Sequence, residues 1–267
     1  WIVEGYPKSG HIWEADNRRC FSWMMNKRWL HDRAPETPGN LYGIHFPFKQ
    51  FETARNMRMS PFHDRLAERG ACFGQLFGYE RANWFAPEGV EPEYEYSFHR
   101  QNWFDYSAAE HMAVRETVGI YDLSSMANFI MQGNDALSVL QNVCGNDVDA
   151  PIGKVVYTQM LNTQGGIEAD ITVTRLEKDK FFIVTAGATA LRDFDYIERA
   201  IPQGAHAFLV DMSSSYAMLG VMGPNARNLL EKISDADLSN EGFPYGTARE
   251  ISVGYATPLA VRMSFVG

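Results

Sequence analysis

Twenty residues, from Tyr157 to Leu176, limit the possible folds more than any other stretch: YTQMLNTQGGIEADITVTRL. Gly165-Gly166 reads as a two-glycine turn joining hairpin strands, because glycine takes positive φ without steric cost. After it, Ile167, Ala169, Ile171 and Val173 alternate with Glu168, Asp170, Thr172 and Thr174, the period-two pattern of a strand with one apolar and one polar face. The polar face carries two carboxylates. Carboxylates usually sit on solvated faces, but Asp forms strands poorly, so Asp170 in mid-strand marks a local conflict kept for a reason.

Composition narrows the function classes. With 267 residues, 45% apolar and 13% aromatic, the chain has material for one large core or two. A net charge of −9 argues against a nucleic-acid partner, which selects for clustered Lys and Arg. An anionic ligand needs a local basic patch; Arg81 and Arg100 are available for one, although each reads first as solvated surface. No apolar run reaches the roughly 20 residues that cross a bilayer, and no basic-then-apolar leader opens the chain, so a soluble protein without a membrane partner is expected. Cys20, Cys72 and Cys144 are odd in number, separated and without a CxxC, which predicts neither disulfides nor a metal site and fits a reducing compartment. The chain opens on Trp1 and closes on AVRMSFVG in mid-strand, as an internal piece of a longer protein does.

Residues 1–57 are aromatic and broken by Pro and Gly, and read as an irregular segment with at most a short helix at Phe21 to Trp29. His45 and His63 lie beside aromatics and read as packed or surface side chains. Ser60, Pro61 and Gly70 suit the cap, first position and end of a helix. Residues 87–103 read as a surface excursion, and Ser107 to Gly119 as a helix with a Ser107–Glu110 capping box. Asp122 and Ser124 read as turn-forming groups.

FIMQGNDALSVLQNV and AMLGVMGPNARNLLEKI share one plan: strand, glycine turn, amphipathic helix, with Gly133 and Gly223 at matching places. Two copies suggest two related α+β lobes with a ligand cleft between them. KFFIVTAGATALRDFDYIERAI adds a strand, a small-residue turn at Ala186-Gly187-Ala188 and a helix; Gly187 lets a ligand approach the backbone.

YTQMLN, GGIEADITVTRL and FFIVTAGAT together resemble the folate-site hairpin of the glycine-cleavage T-protein family, and most of all the tetrahydrofolate-binding half of sarcosine and dimethylglycine dehydrogenases. SPFHDRLAERGACFGQLFGYERANWF and GIYDLSS resemble the start of that domain, and IWEADNRRC, YGIHFPF and FETARNMRMSPFHDRL resemble the connector after the dehydrogenases' flavin half. The resemblance implies an α+β, T-protein-like fold over residues 58–267, C-terminally incomplete, after a connector at residues 1–57.

It also implies the chemistry. In the family, the second acidic hairpin position touches the pterin of tetrahydrofolate, and it falls on Asp170; Glu168 does not fall on that position. Tyr157 and Thr172 are expected to contact the pterin, with Gly187 as a wall and Met126 nearby. The resemblance implies that an N-methyl amine such as sarcosine or dimethylglycine is oxidised by FAD in the chain's own upstream domain, with the one-carbon unit captured as 5,10-methylenetetrahydrofolate. Asp170 is the expected base, buried beside an apolar wall with its pKa raised toward the task. Since no GxGxxG occurs, FAD belongs to that upstream domain. Further pterin ligands are expected past Gly267, leaving this stretch alone weakly binding and inactive. The resemblance implies a bacterial cytoplasm or a mitochondrial matrix. The alternatives are a stand-alone aminomethyltransferase or folate-dependent demethylase of the same family, and a non-catalytic folate-binding or scaffold domain.

Overall fold

The computed structural model describes residues 13, 16–45 and 49–264; the aromatic opening of the chain and the last residues of AVRMSFVG lie outside them. The described chain forms two compact units, one of residues 20–125 and 217–224, the other of residues 126–216 and 225–264 together with the described residues up to 19. Residues 20–57 therefore pack with the residues that follow them.

The segment that reads as irregular contains a 3₁₀ turn at Ser22–Met25 and then a 16-residue helix, α1 (Lys27–Tyr42), with Pro35 and Pro38 inside it. Proline removes a backbone donor and normally breaks a helix, so Pro and Gly hid this one from the sequence. Tertiary anchors offset the loss. The Asn26 side chain accepts from the Arg28 amide at 2.9 Å. Arg33 is buried with its guanidinium 4.0 Å from the Phe51 ring centroid and donates to the Thr53 carbonyl at 2.6 Å. One turn on, Glu36 accepts from the amides of Glu52 and Thr53.

The next helix, α2 (His63–Ala67), begins later than a Ser60 cap predicts: Ser60 Oγ accepts from the Phe62 amide at 3.2 Å and donates to Asp122, and Pro61 and Phe62 form a turn. Strands β1 (Ala71–Leu76) and β2 (Tyr79–Phe85) pair antiparallel. Helix α3 (Phe104–Glu116) starts before Ser107, and the capping box is not formed. Glu110 instead accepts from the Phe85 amide of β2 at 2.9 Å, a tertiary partner in place of the local one. Buried Cys72, Trp84 and Ala86 centre this unit's core, with Tyr106 stacked on Trp84. Strand β3 (Gly119–Asp122) precedes a turn in which Asp122 accepts from the Ser124 amide, as the sequence predicts.

The other unit is built on β4 (Ala127–Gln132), α4 (Ala136–Val143), β5 (Val155–Leu161), β6 (Ile167–Glu177), β7 (Lys180–Thr185), α5 (Ala190–Arg199) and β8 (Phe208–Asp211). The strands form one antiparallel sheet in the order β5-β6-β7-β4-β8. Phe129, Met131, Leu140, Met160, Ile171, Ile183 and Ile197 are buried, and Phe129 meets Phe194 of α5 edge to face. After β8 come β9 (Leu219–Met222), paired with β3, then α6 (Ala226–Leu230) and the hairpin of β10 (Thr247–Glu250) and β11 (Leu259–Arg262).

The internal echo is real but local. Gly133 and Gly223 both take positive φ, 130° and 116°, and a Cβ at either would strike a backbone carbonyl, of His206 or Val114. However, β4 and β9 belong to different sheets, and the second copy is divided, its strand in one unit and its helix in the other. The two copies do not define two lobes.

Candidate functional site

The hairpin at the sheet's edge differs from a two-glycine turn. Its loop runs from Asn162 to Gly166, and of the two glycines only Gly165 takes positive φ, 78°. Asn162 organises the loop, its side-chain oxygen accepting from the Gln164 and Gly166 amides at 3.0 and 2.9 Å. The Glu168 carboxylate accepts from the Asn162 amide group at 2.8 Å and so serves the turn. Along β6, Ala169, Ile171 and Val173 are buried as the alternation predicts, while Ile167 is exposed near the tip.

Cross-strand partners share a face. Tyr157 lies opposite Thr172, and both Thr172 and Asn128 lie opposite Val184, so these four residues form a row over β5, β6, β7 and β4. Asp170 is one step along, opposite Gln159. The fold thus brings Tyr157, Asp170 and Thr172 together on one face. Gly187 opens the 3₁₀ turn Gly187–Thr189 just past the end of β7, without positive φ.

Asp170 is exposed, and two donors converge on one of its oxygens: Tyr157 OH at 2.9 Å and Gln159 Nε2 at 3.0 Å, both to Oδ1. Among the described residues, no hydrogen-bond donor reaches Oδ2. The Gln159 donor, followed by Tyr157, holds the carboxyl below its ordinary value, since hydrogen bonds to the charged form favour it. The same bond pushes the Tyr157 phenol up. The expectation of a buried base with raised pKa is therefore corrected: Asp170 is exposed, and its donors hold its pKa down. Gln159 was missed, although its place two residues from Tyr157 puts it on the same face.

A buried carboxylate, Asp193, which no sequence pattern singled out, lies at the junction of β7 with α5. It is 1% exposed, and burial raises its pKa against the pull of Thr185, Thr189 and Arg192. The other candidates lie elsewhere. His45 is exposed, and His63 stacks on Phe73 at 4.3 Å. Arg81 is exposed, and Arg100 pairs with Asp105. Met126 is half-buried, its carbonyl accepting from Asn128. Among the described residues, no group of three or more His, Cys, Asp or Glu could hold a metal ion, and no helix is long and apolar enough to cross a membrane.

The face suits a flat heteroaromatic amine. It offers a Tyr157 ring that is 55% exposed and, beside it, a carboxylate oxygen open to an N–H donor. It offers no glycine-rich strand-to-helix turn for a dinucleotide.

Comparison with known proteins gives two family matches: the GCVT N-terminal domain over residues 62–267 and the FAD dependent oxidoreductase central domain over residues 4–60. The chain is 45% identical to a "4-methylaminobutanoate oxidase (formaldehyde-forming)" of Paenarthrobacter nicotinovorans, aligned over 100% of this chain and 32% of that protein. It is 33% identical to the mitochondrial pyruvate dehydrogenase phosphatase regulatory subunit of Mus musculus (98% and 30%) and 30% identical to the mitochondrial sarcosine dehydrogenase of Homo sapiens (100% and 33%). The chain thus spans about a third of the length of these relatives. Its fold is that of the glycine cleavage system aminomethyltransferase T of Bartonella henselae, with a TM-score of 0.58 at 22% identity over 73% of this chain and 48% of that one.

Proposed function

The chain belongs to the GCVT N-terminal domain family, with a match to an FAD dependent oxidoreductase central domain ahead of it, and on that premise we propose that it is the folate-binding part of an N-methyl amine dehydrogenase. Residues 1–57 are the connector and residues 58–267 the folate-binding domain. The amine is of the sarcosine or dimethylglycine class, and its oxidation takes place on FAD in an upstream domain. Tetrahydrofolate, when bound, supplies the amines that take up the released one-carbon unit as 5,10-methylenetetrahydrofolate.

The observation that carries the reading is the one-sided hydrogen bonding of Asp170. With Oδ1 filled by Tyr157 and Gln159, Oδ2 is left to take the proton that an attacking amine loses as it bonds to carbon. General-base help of this kind contributes roughly 10² to 10⁴ in rate. A carboxylate held ionised performs it over the whole neutral range. Tyr157 offers its exposed ring to the pterin, Thr172 a hydroxyl on the same face, and Gly187 a backbone wall past β7. The central-domain match weighs against a stand-alone aminomethyltransferase, which has no flavin half to connect.

A second reading has its own observation: one relative carries the name of a regulatory subunit, so this domain pair also serves in a protein not named as an enzyme. The two separate when the whole protein is given sarcosine, dimethylglycine or 4-methylaminobutanoate with and without tetrahydrofolate. The proposal expects amine oxidation, with free formaldehyde replaced by methylenetetrahydrofolate when folate is present. Oxidation with formaldehyde unchanged by folate overturns the folate part, and absence of oxidation of any of these amines supports the non-catalytic reading.

A further inference from the structure

We propose that Asp193 is the positioning residue of this site, fixing with Arg192 the two backbone segments that flank Asp170; the inference rests on the folate reading above. Asp193 stands in the first turn of α5 and is filled with donors. Its Oδ2 accepts from the hydroxyls of Thr185 at 2.6 Å and Thr189 at 2.7 Å, and its Oδ1 accepts from Arg192 Nε at 3.1 Å and Nη2 at 3.0 Å. Thr185 is the last residue of β7 and Thr189 the last of the 3₁₀ turn, so one carboxylate clamps both ends of the Ala186–Ala188 segment that forms the Gly187 wall.

The other arm reaches the hairpin. β5 and β6 change register between Met160 and Leu161, where Leu161 pairs with Ile167 and Met160 with Ala169, so Glu168 is the bulged residue without a partner. A bulge leaves backbone groups outside the ladder, and α5 satisfies them. Arg192 Nη2, oriented by Asp193, donates to the Glu168 carbonyl, and Tyr196 OH donates to the Leu161 carbonyl at 2.7 Å. Glu168 is two residues from Asp170. Asp193 therefore ties the wall on one side and the bulged strand on the other to a single rigid helix, which sets the distance between Asp170 and the Gly187 turn. A buried carboxylate retained with four donors and no access to solvent fits such a task and excludes direct contact with a ligand.

The test uses the whole protein and reads amine oxidation alongside half-saturating tetrahydrofolate in the capture reaction. Asp193→Asn offers one acceptor oxygen where two are needed, and Thr189→Val removes one hydroxyl at constant shape, while Thr189→Ser keeps it. The expected result is a rise in half-saturating tetrahydrofolate of about tenfold for the first two, since small misplacements near a reacting centre are costly. Thr189→Ser stays near wild type, and amine oxidation is unchanged throughout. Lower melting temperatures with unchanged half-saturation would make Asp193 merely structural and overturn the proposal. If Asp193→Asn does not fold, Thr189→Val decides alone, by the same readout. Wild-type protein showing no folate-dependent capture removes the folate reading itself, and with it this inference, before any variant is compared.

Discussion

The polar face of β5 and β6 and the junction of β7 with α5 each centre on one aspartate, and the two are opposites. Asp170 is exposed, takes two donors on one oxygen and is held below its ordinary pKa. Asp193 is buried, takes donors on both oxygens, and burial raises it. A raised pKa in a buried carboxylate commonly points to catalysis, yet here that group has no acceptor capacity to spare and no route to a ligand. The exposed one has a free oxygen. The difference teaches that unfilled hydrogen-bonding capacity, more than the size or sign of a pKa shift, separates the candidate base from its support.

The sharpest way to break the comparison is truncation. Asp193→Ala should cost about 3–5 kcal/mol, because it leaves the Arg192 guanidinium and two hydroxyls without their partner; chemical denaturation measures this. Asp170→Ala, at an exposed site, should leave stability near that of wild type. Equal costs would mean the two sites are not of different kinds.

Removing the donors around Asp170 is expected to act on chemistry and not on folding. Gln159→Leu and Tyr157→Phe each take away a bond that favours the carboxylate, so the carboxyl pKa rises and the acid limb of the carbon-capture pH profile moves to higher pH. Gln159→Leu should move it further. A limb that stays in place in both variants would separate Asp170 from the reaction.

The pH dependence of stability should have opposite slopes at the two sites. For Asp193, raised above 3.8, the folded chain keeps a proton where the unfolded chain has lost it, so this group's contribution is present below 3.8 and lost as pH rises through the folded value. For Asp170, lowered from 3.8, the contribution is present above 3.8 and lost as pH falls through the folded value. Unfolding free energies between about pH 3 and 7 should therefore show wild type losing ground to Asp193→Asn as pH rises and gaining on Asp170→Asn. A more local effect, read by chemical denaturation, concerns the loop between β5 and β6. Gly165→Ala meets no atom within 4 Å but must hold φ at 78°, a cost of about 1 kcal/mol.

What could be read in the sequence follows from how local its cause is. The apolar face of β6, the turn at Asp122 and Ser124, and the strand, turn and helix from Lys180 to Arg199 depend on neighbours a few residues away, and they were legible. Tyr157, Asp170 and Thr172 share a face for the same reason. Helix α1 was not legible, because the anchors that offset Pro35 and Pro38 come from Phe51 and Thr53. The Ser107–Glu110 box failed because Glu110 had a better partner in Phe85. The burial of Asp193 and the exposure of Asp170 both depend on the sheet's edges and helices, which alternation does not encode.

The proposed role of Asp170 Oδ2 is to accept the proton in one-carbon capture. It is tested most directly in the whole protein, by measuring methylenetetrahydrofolate against free formaldehyde during oxidation of sarcosine or dimethylglycine, for wild type and Asp170→Asn. The expected result is equal amine oxidation by both proteins, with capture by the variant slower by about 10² to 10⁴ and formaldehyde accumulating in its place. Equal capture by the two would contradict it.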